Sequence, residues 1–341
     1  MATVMQPNMR AWYHDGRGQP TEVLKFTTDF VTPRFSDLAP DEILVKVSYC
    51  ALTPGVSMMM PLEPAWLHKM PAIPELEFSG TVIALGTDAE ATRPDLAVDT
   101  PVIVFVPMQR LITKPKDMSF AESAALGGNG ITAIQALELS NLKKGDKILI
   151  NGGSGGTGSM MIQCAKDIVG DSGYIATTGS MVNSDMLREL GADEVIDYQR
   201  HDPLHAYLEE EHSQSPFNAI VDTIGIQSLY ACCPRYLSKN GRFINIGAMK
   251  VQPTLLSVIG FFWCQLFNAY WPAFLGGTPR WFRMLSGSPD FVTLSKVKEM
   301  AERGSLKSVI DSIWEMQDAI MAYQRIESKH SKGKVLIRIA D

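Results

Sequence analysis

The run Lys147-Ile148-Leu149-Ile150-Asn151 passes directly into Gly152-Gly153-Ser154-Gly155-Gly156-Thr157-Gly158. An apolar run this short fits a buried strand better than a helix. The residues after the glycines place Met161, Cys164, Ala165 and Ile168 at i, i+3, i+4 and i+7, one apolar face of a helix. A second strand-like run, Tyr174 to Thr178, follows. Strand, glycine turn, helix and strand together define a βαβ unit. Within the turn, Gly153-x-Gly155-x-x-Gly158 lets the backbone fold tightly and leaves free N–H groups at the helix start, where an anion such as a dinucleotide pyrophosphate is stabilised.

The same alternation continues through Glu194 to Asp197, Ala219 to Asp222 and Arg242 to Gly247. Short apolar strands separated by helical stretches indicate a parallel sheet covered by helices on both faces. The first 120 residues differ. Ile43 to Val47, Phe78 to Gly86 and Thr100 to Val106 read as strands among dense Pro and Gly, as in a small irregular barrel. Phe120 to Ser140 reads as a helix interrupted by Gly127, Gly128 and Gly130. Near the end, Asp311 to Arg325 reads as a helix and Lys334 to Ile339 as a last strand.

Composition bounds the function. With 341 residues and 45% hydrophobic content, the chain suits two domains or one large α/β unit and excludes a mainly disordered or coiled-coil protein. A net charge of −6 gives nucleic-acid binding no overall electrostatic support. Cys50, Cys164, Cys232, Cys233 and Cys264 fit no disulfide framework, and Met1 to Pro20 has no apolar leader-like run, so a reduced cytoplasmic setting is expected. Leu255 to Gly277 carries no charge over about a membrane-spanning length. Gln265, Asn268 and Pro272 interrupt it, so a buried or interfacial segment is expected, with a helix lying on a membrane surface as the alternative.

The second strand of the βαβ unit ends Thr177-Thr178-Gly179-Ser180, without the carboxylate that holds the ribose 2′-hydroxyl of NAD. Ser180 can donate a hydrogen bond and Arg188 supplies charge, which favours the 2′-phosphate of NADP(H).

Four stretches make the chain similar to the medium-chain dehydrogenase/reductase superfamily, in its zinc-free quinone-oxidoreductase and enoyl-reductase branch. They are Ile43 to Pro54, Pro74 to Gly80, Leu142 to Lys166, and Leu190 to Tyr198. The resemblance implies a Rossmann doubly wound parallel sheet over 122–299, inserted in a GroES-like, partly open β-barrel catalytic domain from 1–121 and 300–341. It implies that Ser180, Arg188 and Tyr198 hold the 2′-phosphate and that Ser154, Gly155, Gly156 and Thr157 line the pyrophosphate. It also implies that Ile246, Gly247, Thr132, Lys334 and Val335 lie near the nicotinamide. Thr53 and Asn129 are the polar groups expected beside that ring.

Alignment to the zinc-dependent sister branch puts Thr53, Leu76 and Gly128 where its Cys, His and Cys ligands stand. Leu and Gly offer no donor atom, and Glu77 alone does not make a catalytic zinc site. The expected reaction is therefore hydride transfer to an activated acceptor, an α,β-unsaturated carbonyl or a quinone. Gly55 to Trp66 holds no Tyr to protonate an enolate, leaving water or Ser57. Met58 to Met60 and the aromatic stretch 261–282, with Trp271, suit either an apolar substrate or a partner copy in a homodimer. Two alternatives stay open: a nucleotide-binding regulatory or membrane-peripheral protein, and a non-redox isomerase on the same scaffold.

Overall fold

The computed structural model describes residues 6–62, 70–106, 111–249, 251–287 and 290–340. In chain order the strands are β1 (Asn8–Tyr13), β2 (Lys25–Val31), β3 (Ile43–Ala51), β4 (Glu77–Leu85), β5 (Pro101–Phe105), β6 (Leu111–Thr113), β7 (Lys147–Asn151), β8 (Tyr174–Gly179), β9 (Glu194–Asp197), β10 (Phe217–Asp222), β11 (Leu237–Asn245), β12 (Trp281–Met284), β13 (Ile310–Glu315) and β14 (Lys334–Arg338). The helices used below are α1 (Pro54–Met59), α2 (Gly127–Ser140), α3 (Gly156–Val169), α4 (Ser184–Glu189), α5 (Leu255–Tyr270), α6 (Phe291–Glu302) and α7 (Ala319–Glu327).

The chain divides into two compact units. One comprises Met1–Gly127, Asp290–Glu302 and Ile310–Asp341, and the other Gly128–Pro289 with Arg303–Val309. The divisions expected at 121/122 and 299/300 thus stand at 127/128 and 289/290. Side-chain contacts explain the second difference. Lys298 on α6 bonds Thr113 on β6, and Arg93 stacks on Phe291, so α6 belongs with the first unit. Residues 303–309 return to the second unit because Gln163 on α3 exchanges two hydrogen bonds, 3.0 and 2.8 Å, with the backbone of Lys307.

The second unit is built on a six-stranded parallel sheet in the order β12-β11-β10-β7-β8-β9. Ile148, Leu149 and Ile150 of β7 are fully buried, as expected of a central strand covered on both faces. Each such side chain contributes about 1.5–3 kcal/mol of burial. Phe217, Tyr230, Tyr236 and Phe243 fill one side of this core. Strand β12 is not expected from the sequence, because its four residues, Trp281-Phe282-Arg283-Met284, are too few to show a period; pairing with β11 defines it.

The first unit contains a mixed six-stranded sheet, β13-β14-β3-β4-β5-β6, and the separate pair β1-β2. Strand β14 lies antiparallel to β3, with Leu336 opposite Ala51, so both ends of the chain build one sheet. The helix expected over 311–325 is corrected here. Ile310–Glu315 is strand β13, parallel to β14; Met316–Asp318 is a 3-10 turn, and the α-helix runs over Ala319–Glu327. The ladder with β14 outweighs local helix preference, and Asp311 is fixed by a two-point ion pair to Arg325 on α7. The segment expected over Phe120 to Ser140 is likewise two helices, Phe120–Ala124 and α2, parted after Ala125.

Of the buried or interfacial segment expected at 255–277, burial within the chain is corrected. Helix α5 exposes Leu256 at 83%, Trp263 at 69% and Tyr270 at 75%. Its polar residues face the protein instead. Gln265 is buried and accepts from Asn245 Nδ2 at 2.9 Å, while Asn268 exchanges two hydrogen bonds with Gln227. Among the described residues, no helix is long and apolar enough to cross a membrane.

Candidate functional site

The glycine turn sits at the carboxyl end of β7, and each glycine meets a different constraint. Gly152 has φ +90°, a left-handed conformation that side chains rarely adopt. A Cβ on Gly153 would overlap Thr177 Oγ1, and one on Gly158 would overlap the Gly152 carbonyl, so both are required for strand–helix packing. Gly155 differs: a Cβ there meets only the Gly152 carbonyl, at 3.6 Å. Gly155 is also the N-cap of α3, a 14-residue helix whose first N–H groups have no side-chain cap. This open cradle fits an anionic pyrophosphate. Ser154 and Thr157 flank it, both partly exposed.

Asn129 on α2 packs against the start of α3. Its Oδ1 accepts from Thr157 Oγ1 at 3.1 Å, and a Cβ on Gly156 would overlap its Nδ2. That Nδ2 is buried and has no partner among the described residues. Thr132, one turn further along α2, donates to the Gly128 carbonyl at 2.7 Å and faces Gly287.

Three residues that the sequence did not single out hold the turn from below. Asn151 Nδ2 donates to Asp222 Oδ1 at 2.8 Å, Thr178 Oγ1 donates to Asn151 Oδ1 at 2.6 Å, and the Gly152 N–H donates to Thr178 Oγ1 at 2.8 Å. Asp222 also accepts from the backbone N–H groups of Ile224, Gly225 and Ile226 at 2.9, 3.0 and 2.6 Å. Burial pushes its carboxyl above the ordinary value, against the pull of these donors. The available signal was a polar residue ending each of three apolar strands. The Asp222 carbonyl accepts from Ile246 and Gly247, and Gly247 lies back to back with Gly225 without room for a side chain.

At the carboxyl ends of β8 and β9, Gly179 pairs with Asp197, which puts the following residues, Ser180 and Tyr198, on one edge. A Cβ on Gly179 would lie 2.7 Å from Leu187 Cδ1, so α4 closes over this edge and brings Arg188 with it. The hydroxyls of Thr177 and Thr178 are used inside the sheet. Ser180 Oγ accepts from Asn183 Nδ2 at 3.3 Å, which leaves its proton to donate. Arg188 is exposed and donates one bond to the Asp193 carbonyl; Tyr198 is 46% exposed.

Thr53, Lys334 and Val335 belong to the other unit, described by itself. Leu52 N–H donates to the Val335 carbonyl, which ties the end of β3 to β14. Buried Lys334 Nζ lies 3.1 Å from Glu77 Oε2, 3.3 Å from the Leu52 carbonyl and 3.5 Å from Thr53 Oγ1. The contact with Glu77 is an ion pair, and Glu77 Oε2 accepts no hydrogen bond among the described residues. Glu75, also missed from the sequence, accepts from the Thr53 N–H at 3.0 Å and from Tyr323 OH at 2.9 Å. Burial raises its carboxyl to about 8, opposed by Tyr323, Lys334 and Thr53. Ser57 on α1 is buried, and its hydroxyl has no partner among the described residues. Leu76 is exposed at 40%, and among the described residues no group of three His, Cys, Asp or Glu side chains is arranged to hold a metal. Part of the Gly55 to Trp66 segment, 63–66, lies outside the described residues.

A parallel nucleotide-type sheet inserted in the sequence of a mixed-sheet unit, with a glycine cradle on its central strand, defines a two-domain dehydrogenase-like α/β protein. The family model described as zinc-binding dehydrogenase matches residues 190–337. Trans-enoyl reductase poxH of Penicillium oxalicum is 35% identical over 98% of this chain and 98% of its own. The quinone oxidoreductase of Coxiella burnetii has the same fold, with a TM-score of 0.77 and 23% identity over 98% of this chain and 100% of the other. The quinone oxidoreductase of Escherichia coli, solved with NADPH, gives 0.76 and 18% over 96% and 99%. The chain belongs to the medium-chain dehydrogenase/reductase superfamily, in its enoyl-reductase and quinone-oxidoreductase branch.

Proposed function

We propose that this protein is an NADPH-dependent, zinc-independent reductase of an activated C=C bond in an α,β-unsaturated carbonyl, or of a quinone. One observation carries the reading: the cradle at Gly155 shares its sheet edge with Ser180, Arg188 and Tyr198, and no carboxylate ends β8. The relative named trans-enoyl reductase supports the choice of acceptor. NADPH, when bound, supplies the hydride. The protein's residues orient and hold. Ser154 and Thr157 with the N–H groups of α3 bind pyrophosphate, and Ser180, Arg188 and Tyr198 bind the 2′-phosphate. Thr132, Ile246, Gly247, Lys334 and Val335 border the nicotinamide, Asn129 and Thr53 offer polar atoms beside it, and water or Ser57 Oγ supplies the proton that completes reduction.

In this reading the protein works in the cytoplasm as a homodimer on a small apolar substrate. Zinc independence follows from the donor set, since Thr53, Leu76 and Gly128 stand at the ligand positions of the sister branch; one zinc per chain in purified protein would contradict it. The reading is tested by NADPH and NADH oxidation with enoyl thioesters, free enones and quinones, followed by product mass. The expected product gains two hydrogens with NADPH as the better donor. Equal use of NADH overturns the cofactor assignment. An unchanged mass indicates isomerisation, and tight NADPH binding without turnover indicates a regulatory protein.

A further inference from the structure

Glu75 stands in the first unit with φ +74°, a left-handed backbone that costs a residue with a side chain about 1 kcal/mol or more. Strain of this kind persists only where surrounding contacts impose it. Here the contacts are the two ends of one carboxyl group. One oxygen takes the Thr53 N–H, the first backbone donor beyond the β3–β14 pairing at Leu52. The other takes Tyr323 OH from α7, a side chain 1% exposed. Glu75 therefore joins three separate parts of the chain at the residue where β3 gives way to α1.

We propose that Glu75 is a positioning residue for Thr53, fixing the strand-to-helix corner from which Thr53 and Ser57 are presented. Its value to the reaction rests on the reading above, that Thr53 borders the cofactor; the clamp itself does not. The charged and titratable groups facing it are Lys334 from β14, Glu77 from β4, Cys50 from β3 and Tyr323 from α7. Burial pushes the Cys50 thiol and the Tyr323 phenol well up, so both stay uncharged. Lys334 is paired with Glu77. The cluster is thus electrically balanced while Glu75 carries a proton, and gains an uncompensated negative charge when the proton leaves.

Two variants of the full chain separate positioning from a merely structural role. Glu75→Gly relieves the backbone strain but removes the clamp. Glu75→Gln keeps a carbonyl acceptor for Thr53 and a group facing Tyr323, but cannot ionise. Hydrogen exchange is read on the peptide beginning at Leu52, together with kcat, the NADPH KM and the pH profile. For Glu75→Gly, faster exchange at Thr53 is expected, with kcat down on the order of tenfold and KM little changed, as for a small misplacement near reacting groups. For Glu75→Gln, near-native exchange and kcat are expected, with the wild-type loss of rate around pH 8 abolished. Unchanged Thr53 exchange in Glu75→Gly overturns the clamp, as does unchanged kcat in an active enzyme. If the wild type turns over no acceptor, the functional reading fails, and the exchange result alone then supports or overturns the clamp.

Discussion

Asn151 and Asp222 end adjacent strands, β7 and β10, and are joined by a 2.8 Å hydrogen bond from Nδ2 to Oδ1. The bond belongs to a network around a buried carboxylate: one amide N–H and two backbone N–H groups converge on Asp222 Oδ1, and a third backbone N–H reaches Oδ2. An Asn at 222 must turn an NH2 group toward some of those donors. Asp222→Asn is expected to destabilise the fold by about 2–4 kcal/mol, since buried donors are left unmatched. Urea unfolding checks this, and NADPH affinity is expected to fall with it because the glycine turn rests on the same network.

The glycines of the turn separate a packing role from a ligand role. Gly153→Ala drives a methyl group into Thr177 Oγ1, so it is expected to destabilise by about 1–3 kcal/mol and lower the melting temperature. Gly155→Ala meets nothing closer than 3.6 Å and keeps an extended N-cap conformation, so its melting temperature is expected to match wild type. Its methyl group enters the cradle instead, and NADPH dissociation is expected to rise on the order of tenfold, the scale of about 1.4 kcal/mol. Calorimetry on both variants distinguishes the two effects.

Arg188 is exposed and gives one of its donors to the Asp193 carbonyl. A charge-assisted bond to a 2′-phosphate contributes about 1.5–3 kcal/mol, so Arg188→Ala is expected to weaken NADPH binding about 10- to 100-fold. NADH lacks that phosphate and should be nearly unaffected. Titrations with both cofactors at two salt concentrations test this, because the NADPH difference should shrink as salt rises.

The opposite edge of the parallel sheet carries a pH-sensitive anchor. Glu194 accepts from Tyr174 OH at 2.9 Å and Tyr207 OH at 3.0 Å, and His212 Nε2 lies 3.3 Å away. Burial raises its carboxyl, but the neighbouring His212 and the bonds from Tyr174 and Tyr207 outweigh this and lower it to about 2. The folded chain therefore holds this proton less tightly than the unfolded chain. The stability gained is complete above the ordinary value of 4.5 and is lost as pH falls toward about 2. Glu194→Gln removes that dependence, so its stability curve is expected to be flatter than wild type between those limits, as measured by urea midpoints across pH.

The parts legible in the sequence are those dictated by local backbone geometry. Gly152, Gly153 and Gly158 are glycines because φ or close approach requires it, and the alternation of β7, α3 and β8 follows from side-chain periodicity. What was hidden depends on distant partners. Strand β13 exists through pairing with β14, and Glu75 acquires its surroundings from Tyr323, 248 positions along the chain. Helix α5 shows a third limit. A periodic apolar stripe marks a face, but which face meets the protein is decided by the receiving surface, here Asn245 and Gln227.

That inverted helix yields a test of its own. Gln265 is 7% exposed and bonds the buried amide of Asn245, whereas Trp263, two positions away, is 69% exposed. On hydropathy alone, Gln265→Leu should improve an apolar helix and Trp263→Gln should harm it. The structure reverses the order. Gln265→Leu leaves Asn245 Nδ2 without its acceptor and is expected to cost about 1–3 kcal/mol, while Trp263→Gln is expected to change monomer stability by less than about 0.5 kcal/mol. Trp263→Gln should instead weaken self-association, since it removes apolar surface from the outer face of α5. Urea unfolding at low protein concentration measures the first effect and sedimentation across a concentration series the second; a larger loss of stability in Trp263→Gln than in Gln265→Leu would mean that the aromatic face, not the amide face, meets the protein.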